Sequence, residues 1–194
     1  RANTNGIRIN GVRSSNRVEG NTVTNSFRIG VVITNTSTLR FVKNRILAGR
    51  QEGLRIKTNT SFLRVVRNIV ARNKRGLEMN GASTNWFLNN VFYKNTNYGV
   101  RIDSGLSNTF ANNIVLSNGP TGVTNSASGS RFYNNDSFGQ SANFTNTAAG
   151  GYGTNNIFAN PAFVNAAALD FNLTGPCPIS PAVDAGKTNL LFTI

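Results

Sequence analysis

Four side chains able to hold an anion or a ring stand at nearly equal intervals, Arg17, Arg40, Arg64 and Trp86, separated by 23, 24 and 22 residues. Thr109 and Arg131 continue the series. A guanidinium binds carboxylate, sulfate or phosphate oxygens through paired N–H donors, and an indole offers a flat apolar face to a sugar or a base. If the interval is a structural period, the arginines stack about 4.8 Å apart. They then repel by roughly 0.9 kcal/mol per adjacent pair even at the dielectric of water. An anionic polymer lying along the stack would relieve that repulsion; the alternative is a solvated face of long side chains screened by salt. Arg55 and Lys57, two residues apart, are a second basic pair that one face of a strand could aim at a single carboxylate.

Groups for acid–base chemistry are scarce. The chain has seven Asp or Glu and no His, and no Asp precedes Arg55. Hydrolysis by paired carboxylates would lack its acid and its base. Glu78 falls between Arg55 and Arg101 in the periodic alignment and reads as part of a surface charge ladder, worth about 0–1 kcal/mol per pair. Asp103 aligns with Asn80 and Lys57, and one carboxylate is too few for a calcium site. Without His the common zinc patterns are absent, and Cys177, the only cysteine, cannot form an intrachain disulfide. No cofactor is expected. Charge is uneven: residues 1–76 hold sixteen Lys or Arg against Glu19 and Glu52, whereas residues 77–194 hold four against five acids. That asymmetry points to a polyanionic partner, or to a basic surface that only keeps the protein soluble.

The elements that position these residues follow from a repeat. Glycine followed by an apolar-x-apolar triplet recurs at Gly6-Ile7-Arg8-Ile9, Gly30-Val31-Val32-Ile33, Gly53-Leu54-Arg55-Ile56, Gly76-Leu77-Glu78-Met79 and Gly99-Val100-Arg101-Ile102, with a weaker copy at Gly122. Asn21, Asn44, Asn68, Asn90, Asn113 and Asn135 form a second column in register with the first. Three residues before each lies Val18, Phe41, Val65, Phe87, Phe110 or Phe132, and two residues after the first five lies Val23, Ile46, Val70, Phe92 or Val115. Alternation with period 2 broken by Gly and Asn predicts short strands and tight turns. Three such strands per 23 residues predict an all-β solenoid, a right-handed parallel β-helix of about seven coils, whose stacked strands align like residues. Asn is expected at the bends because it tolerates a left-handed backbone and its amides can bond along the axis. Residues 1–137 are predicted to form regular coils, and 138–194 an irregular last coil with a C-terminal cap or tail of the same domain.

These triplets, the steps Asn89-Asn90-Val91-Phe92 and Asn112-Asn113-Ile114-Val115, and the 22–24-residue period together resemble the pectate-lyase-like superfamily of right-handed β-helices. Asn160-Pro161-Ala162-Phe163-Val164-Asn165 and Ser180-Pro181-Ala182-Val183-Asp184-Ala185-Gly186 resemble the closing segment of many secreted bacterial β-helix proteins. Arg55-Ile56-Lys57 resembles the basic tripeptide with which polygalacturonases hold a substrate carboxylate. The resemblance implies a secreted or cell-surface bacterial protein that binds an acidic polysaccharide and leaves cleavage by elimination open. A non-enzymatic structural or adhesive solenoid is the alternative. Nucleic acid fits the charge but would want interleaved aromatics, and no run of 18 apolar residues offers a membrane span.

The start, Arg1-Ala2-Asn3-Thr4, lacks a methionine and reads as processed or truncated. With the first triplet at Gly6, the N-terminal coil is expected to expose unpaired strand edges. A neighbouring copy could cover them with its apolar tail Leu190-Leu191-Phe192-Thr193-Ile194, giving homo-assembly.

Overall fold

A computed structural model describes residues 5–145, 153–175, 180–183 and 185–186. Arg1–Thr4, Cys177, Asp184 and the tail Leu190–Ile194 lie outside the described residues.

Short alternating segments become strands, and each strand pairs in parallel with its equivalent one coil away. The first sheet holds seven strands, from Asn5–Asn10 to Ala142–Thr145, and contains the Gly triplets: Ile7 pairs with Val31, Val31 with Leu54, Leu54 with Leu77, Leu77 with Val100 and Val100 with Val123. The second sheet runs from Arg17–Glu19 to Arg131–Tyr133 and the third from Thr22–Thr24 to Asp136–Phe138, six strands each. The result is a parallel β-helix of six coils plus a further strand on the first sheet. In every coil five residues separate the first residues of the second-sheet and third-sheet strands, as in Arg40 and Arg45 or Trp86 and Val91. The corner between the first and second sheets varies instead: seven residues from Ile33 to Arg40, eight from Ile56 to Arg64, six from Asn125 to Arg131.

Inward positions fill the bore. Phe41, Phe87, Phe92 and Phe132 are fully buried. Phe87 stacks on Phe110 with centroids 4.4 Å apart, and Phe110 on Phe132 at 4.9 Å. The triplet glycines stand where successive coils come close: a Cβ on Gly76 would lie 2.1 Å from the Gly99 carbonyl oxygen.

The asparagine column is a continuous ladder. Each Nδ2 from Asn21 to Asn135 donates to the Oδ1 of the next asparagine, ending at Asn156, over 2.9–3.1 Å. The backbone departs from expectation in one respect. Left-handed conformations fall on the residue before each ladder asparagine, Gly20, Lys43, Arg67, Asn89, Asn112, Asn134 and Asn155, with φ between 52° and 68°. The ladder residue itself must turn its amide inward, and the preceding residue makes the bend that lets it do so. A shorter ladder, Asn73, Asn95 and Asn118, lines the corner between the third and first sheets.

Beyond the coils the chain returns along the third sheet. An antiparallel pair, Phe163–Asn165 with Asp170–Leu173, packs Phe163, Leu169 and Phe171 against Ala71, Tyr93 and Leu116. Arg72 in the third coil donates to the Ala167 carbonyl.

Candidate functional site on the second sheet

Parallel pairing makes the arginine series a physical row. Arg17 pairs with Arg40, Arg40 with Arg64, Arg64 with Trp86, Trp86 with Thr109 and Thr109 with Arg131. Because Val18, Phe41, Val65 and Phe87 next to them point inward, these side chains must point out. Arg17 and Arg131 are exposed, while Arg40, Arg64 and Trp86 are half-buried. The row contains no carboxylate. Arg17 is drawn aside to Glu19, with Nε 2.5 Å from Oε2, and Lys43 reaches the same carboxylate at 3.8 Å. Arg40 has no ion pair among the described residues.

Arg40, Arg64 and Trp86 line one groove of about 240 Å³, together with Ser15, Thr38 and Phe62. Phe62 stands at a corner position whose residue type does not repeat, Thr38, Phe62, Thr84 and Ser107. It is 49 % exposed and has φ of 55°, a strained conformation for a bulky residue. Its ring lies 6.3 Å from the Trp86 ring at an interplanar angle of 33°. The left-handed backbone at the corner leaves an aromatic side chain exposed beside Trp86, so the lining of the groove combines two aromatic rings with two guanidinium groups. Such a site can hold a flat ring by dispersion and its acidic substituent by charge.

Arg55 and Lys57 are not part of that groove. They sit on the first sheet and at its strand end, where Arg55 is already matched by a carboxylate. Arg55 lies 2.9 Å from Glu78, and Arg75 bonds Glu52 and approaches Glu78 to 3.6 Å. The ladder expected through Arg55, Glu78 and Arg101 is interrupted: Arg101 turns to Asp103 at 2.6 Å instead, two residues away on its own chain. Tyr98 donates to Glu78 at 2.6 Å, and burial together with that bond holds its hydroxyl protonated far above the ordinary range. Glu78 is buried, not a surface group. For Glu52, burial raises the carboxyl, but its backbone hydrogen bond and the arginines outweigh burial and leave it below the ordinary value. Lys57 is exposed at the strand end. Asp103 is committed to Arg101, and no group of three or more His, Cys, Asp or Glu that could hold a metal occurs among the described residues.

The family described as right-handed beta helix region matches residues 1–115. The chain belongs to that right-handed β-helix family. No curated protein and no solved structure matches it. The matched region of this β-helix contains Arg17, Arg40, Phe62, Arg64 and Trp86, so the groove is built on the regular coils. No helix among the described residues is long and apolar enough to cross a membrane.

Proposed function

We propose that this β-helix binds an acidic polysaccharide laid along the axis of the second sheet. The observation that carries the reading is the groove that Arg40 and Arg64 line together with Phe62 and Trp86. Strands about 4.8 Å apart carry Arg40 and Arg64 on successive coils, a spacing roughly similar to the rise of one sugar in an extended polyuronate, so successive carboxylates can meet successive coils. The matched charges of the first sheet support the second sheet as the binding face, because arginines already held by glutamates have less to gain from a polyanion. Binding is the activity supported here, because the carboxylates near the other basic pair are committed to arginines and to Tyr98. The likeness of the closing segment to secreted β-helix proteins, and of the triplets to the pectate-lyase-like superfamily, supports a secreted or cell-surface setting.

Titration with alginate, polygalacturonate and heparin, against neutral dextran, tests this. Affinity for the acidic polymers should fall steeply from low to high salt, since bound phosphate-like or carboxylate charge displaces counterions. The double variant Arg40→Ser/Arg64→Ser should bind at least tenfold more weakly at low salt with an unchanged unfolding midpoint. Equal binding by parent and variant would reduce the row to a solvated face.

A further inference from the structure

The third sheet has an outward row that reads Thr22, Arg45, Ile69, Val91, Ile114 and Asp136. Ile69, Val91 and Ile114 are half-buried in the same apolar cluster as Phe163, Leu169 and Phe171 of the returning chain, and Ile157 bridges to Asp136 from the far side. A carboxyl therefore occupies a position that its neighbours fill with isoleucine or valine. Asp136 is 3 % exposed. Its Oδ1 accepts one long bond, 3.3 Å, from the Ala159 amide, and its Oδ2 has no hydrogen-bond partner among the described residues. It shares a cavity of about 210 Å³ with Leu173, Ala182 and Ala185 of the returning chain. On the solenoid side Asn134 holds that chain by donating to the Ala185 carbonyl at 2.9 Å.

A carboxylate buried with one long hydrogen bond and no cation is costly, and the neutral acid much less so. We propose that Asp136 is the latch of a proton-operated clasp, in which protonation of its carboxyl tightens the described parts of the returning chain, Phe163–Asn165, Asp170–Leu173, Ala182 and Ala185, on the third sheet and ionisation loosens them. The groups facing Asp136 are Ile114 and Ile157 from the sheet, Asn112 and Asn134 from the corner, and Leu173, Ala182 and Ala185 from the returning chain. None of these titrates or carries charge. Asp184, between Ala182 and Ala185 in the sequence, lies outside the described residues and enters the test. Loosening would uncover the apolar strip Ile69, Val91 and Ile114.

Burial lifts the Asp136 carboxyl from an ordinary 3.8 to about 6. A group whose value is raised in the docked state favours docking fully below its free value and loses that contribution as pH rises through the docked one. The window is thus about pH 4 to 6, across which the docking constant falls roughly a hundredfold.

Hydrogen exchange of the amides in Phe163–Asn165 and Asp170–Leu173 tests the clasp in the full chain, from pH 4 to 7.5. The ratio of parent to Asp136→Asn cancels the intrinsic pH dependence of exchange. Protection in the parent should fall by tens-fold to a hundredfold relative to Asp136→Asn over the window, while Trp86–Leu88 amides show a flat ratio. A flat ratio in the hairpin overturns the proposal, as does a pH dependence removed by Asp184→Asn and kept by Asp136→Asn. A carboxyl titration of Asp136 with its midpoint near 4 in the unmodified chain overturns it without any variant.

Discussion

Asn68 is joined to Asn90 twice: its backbone amide and its side-chain Nδ2 both donate to the Asn90 Oδ1, at 2.9 and 3.0 Å. One oxygen thus satisfies two buried donors of the neighbouring coil, and the Asn90 Nδ2 bonds the Val65 carbonyl and Asn113 in turn. Removing such a side chain leaves several buried groups unpaired, each worth about 1–3 kcal/mol. Asn90→Ala is expected to lower stability by about 3 kcal/mol or more in urea unfolding. Asn59→Ala, on an exposed rung, should cost under about 1 kcal/mol.

Phe62 separates strain from binding. Glycine adopts its left-handed conformation without the Cβ penalty, worth about 1–2 kcal/mol, which offsets the loss of the buried half of the Phe62 surface. Phe62→Gly should therefore keep or raise the melting temperature while weakening acidic-polymer binding several-fold. A fall in both would make Phe62 a packing residue.

On the first sheet, Glu78 answers Arg55, Arg75 and Tyr98 at once. Glu78→Ala strands the partly buried Arg55 guanidinium and the Tyr98 hydroxyl, while Arg75 keeps its bond to Glu52, for a loss of about 2 kcal/mol after allowance for partial exposure. Because Glu78 is bound in this way, polygalacturonate should show no hydrolytic release of reducing ends, that is, none without a matching unsaturated uronate, with the unmodified chain. Release that vanishes in Glu78→Gln would contradict that expectation.

Glu52 gives the opposite acid response from Asp136. Its value is depressed in the folded chain, so its contribution is complete above the ordinary 4.5 and is lost as pH falls below it. Urea midpoints of the unmodified chain should drop between pH 4.5 and 3, and Glu52→Gln should shrink that drop. Over pH 6 to 4.5 the same protein should hold its returning chain more tightly.

The register of the coils could be read from the sequence because two columns repeat and parallel stacking converts equal spacing into adjacency. The row from Arg17 to Trp86 was legible for the same reason. Phe62 was not, since its column reads Thr38, Phe62, Thr84 and Ser107 and only the folded corner shows which member projects. The meaning of the Asn column was half legible: the bonding along the axis followed from chemistry, but the left-handed residue is its predecessor, whose type varies from Gly to Lys, Arg and Asn. The shorter ladder at Asn73 has too few rungs to stand out. Asp136 drew no attention because its burial depends on a chain segment that returns from far along the sequence, which no local pattern encodes.

The corner between the second and third sheets, five residues in every coil, has a consequence for how this protein can change. Coils lengthen and shorten elsewhere, yet errors of phase do not accumulate, because each turn is reset at the asparagine ladder. A foreign loop placed after Ser104, at the variable corner, would be carried as a local protrusion at a modest entropic cost. A single residue added between Leu88 and Val91 would instead exchange inside for outside along the following strand. Diversification of the surface is thereby confined to the variable corners, and inheritance of the core is guarded by the third.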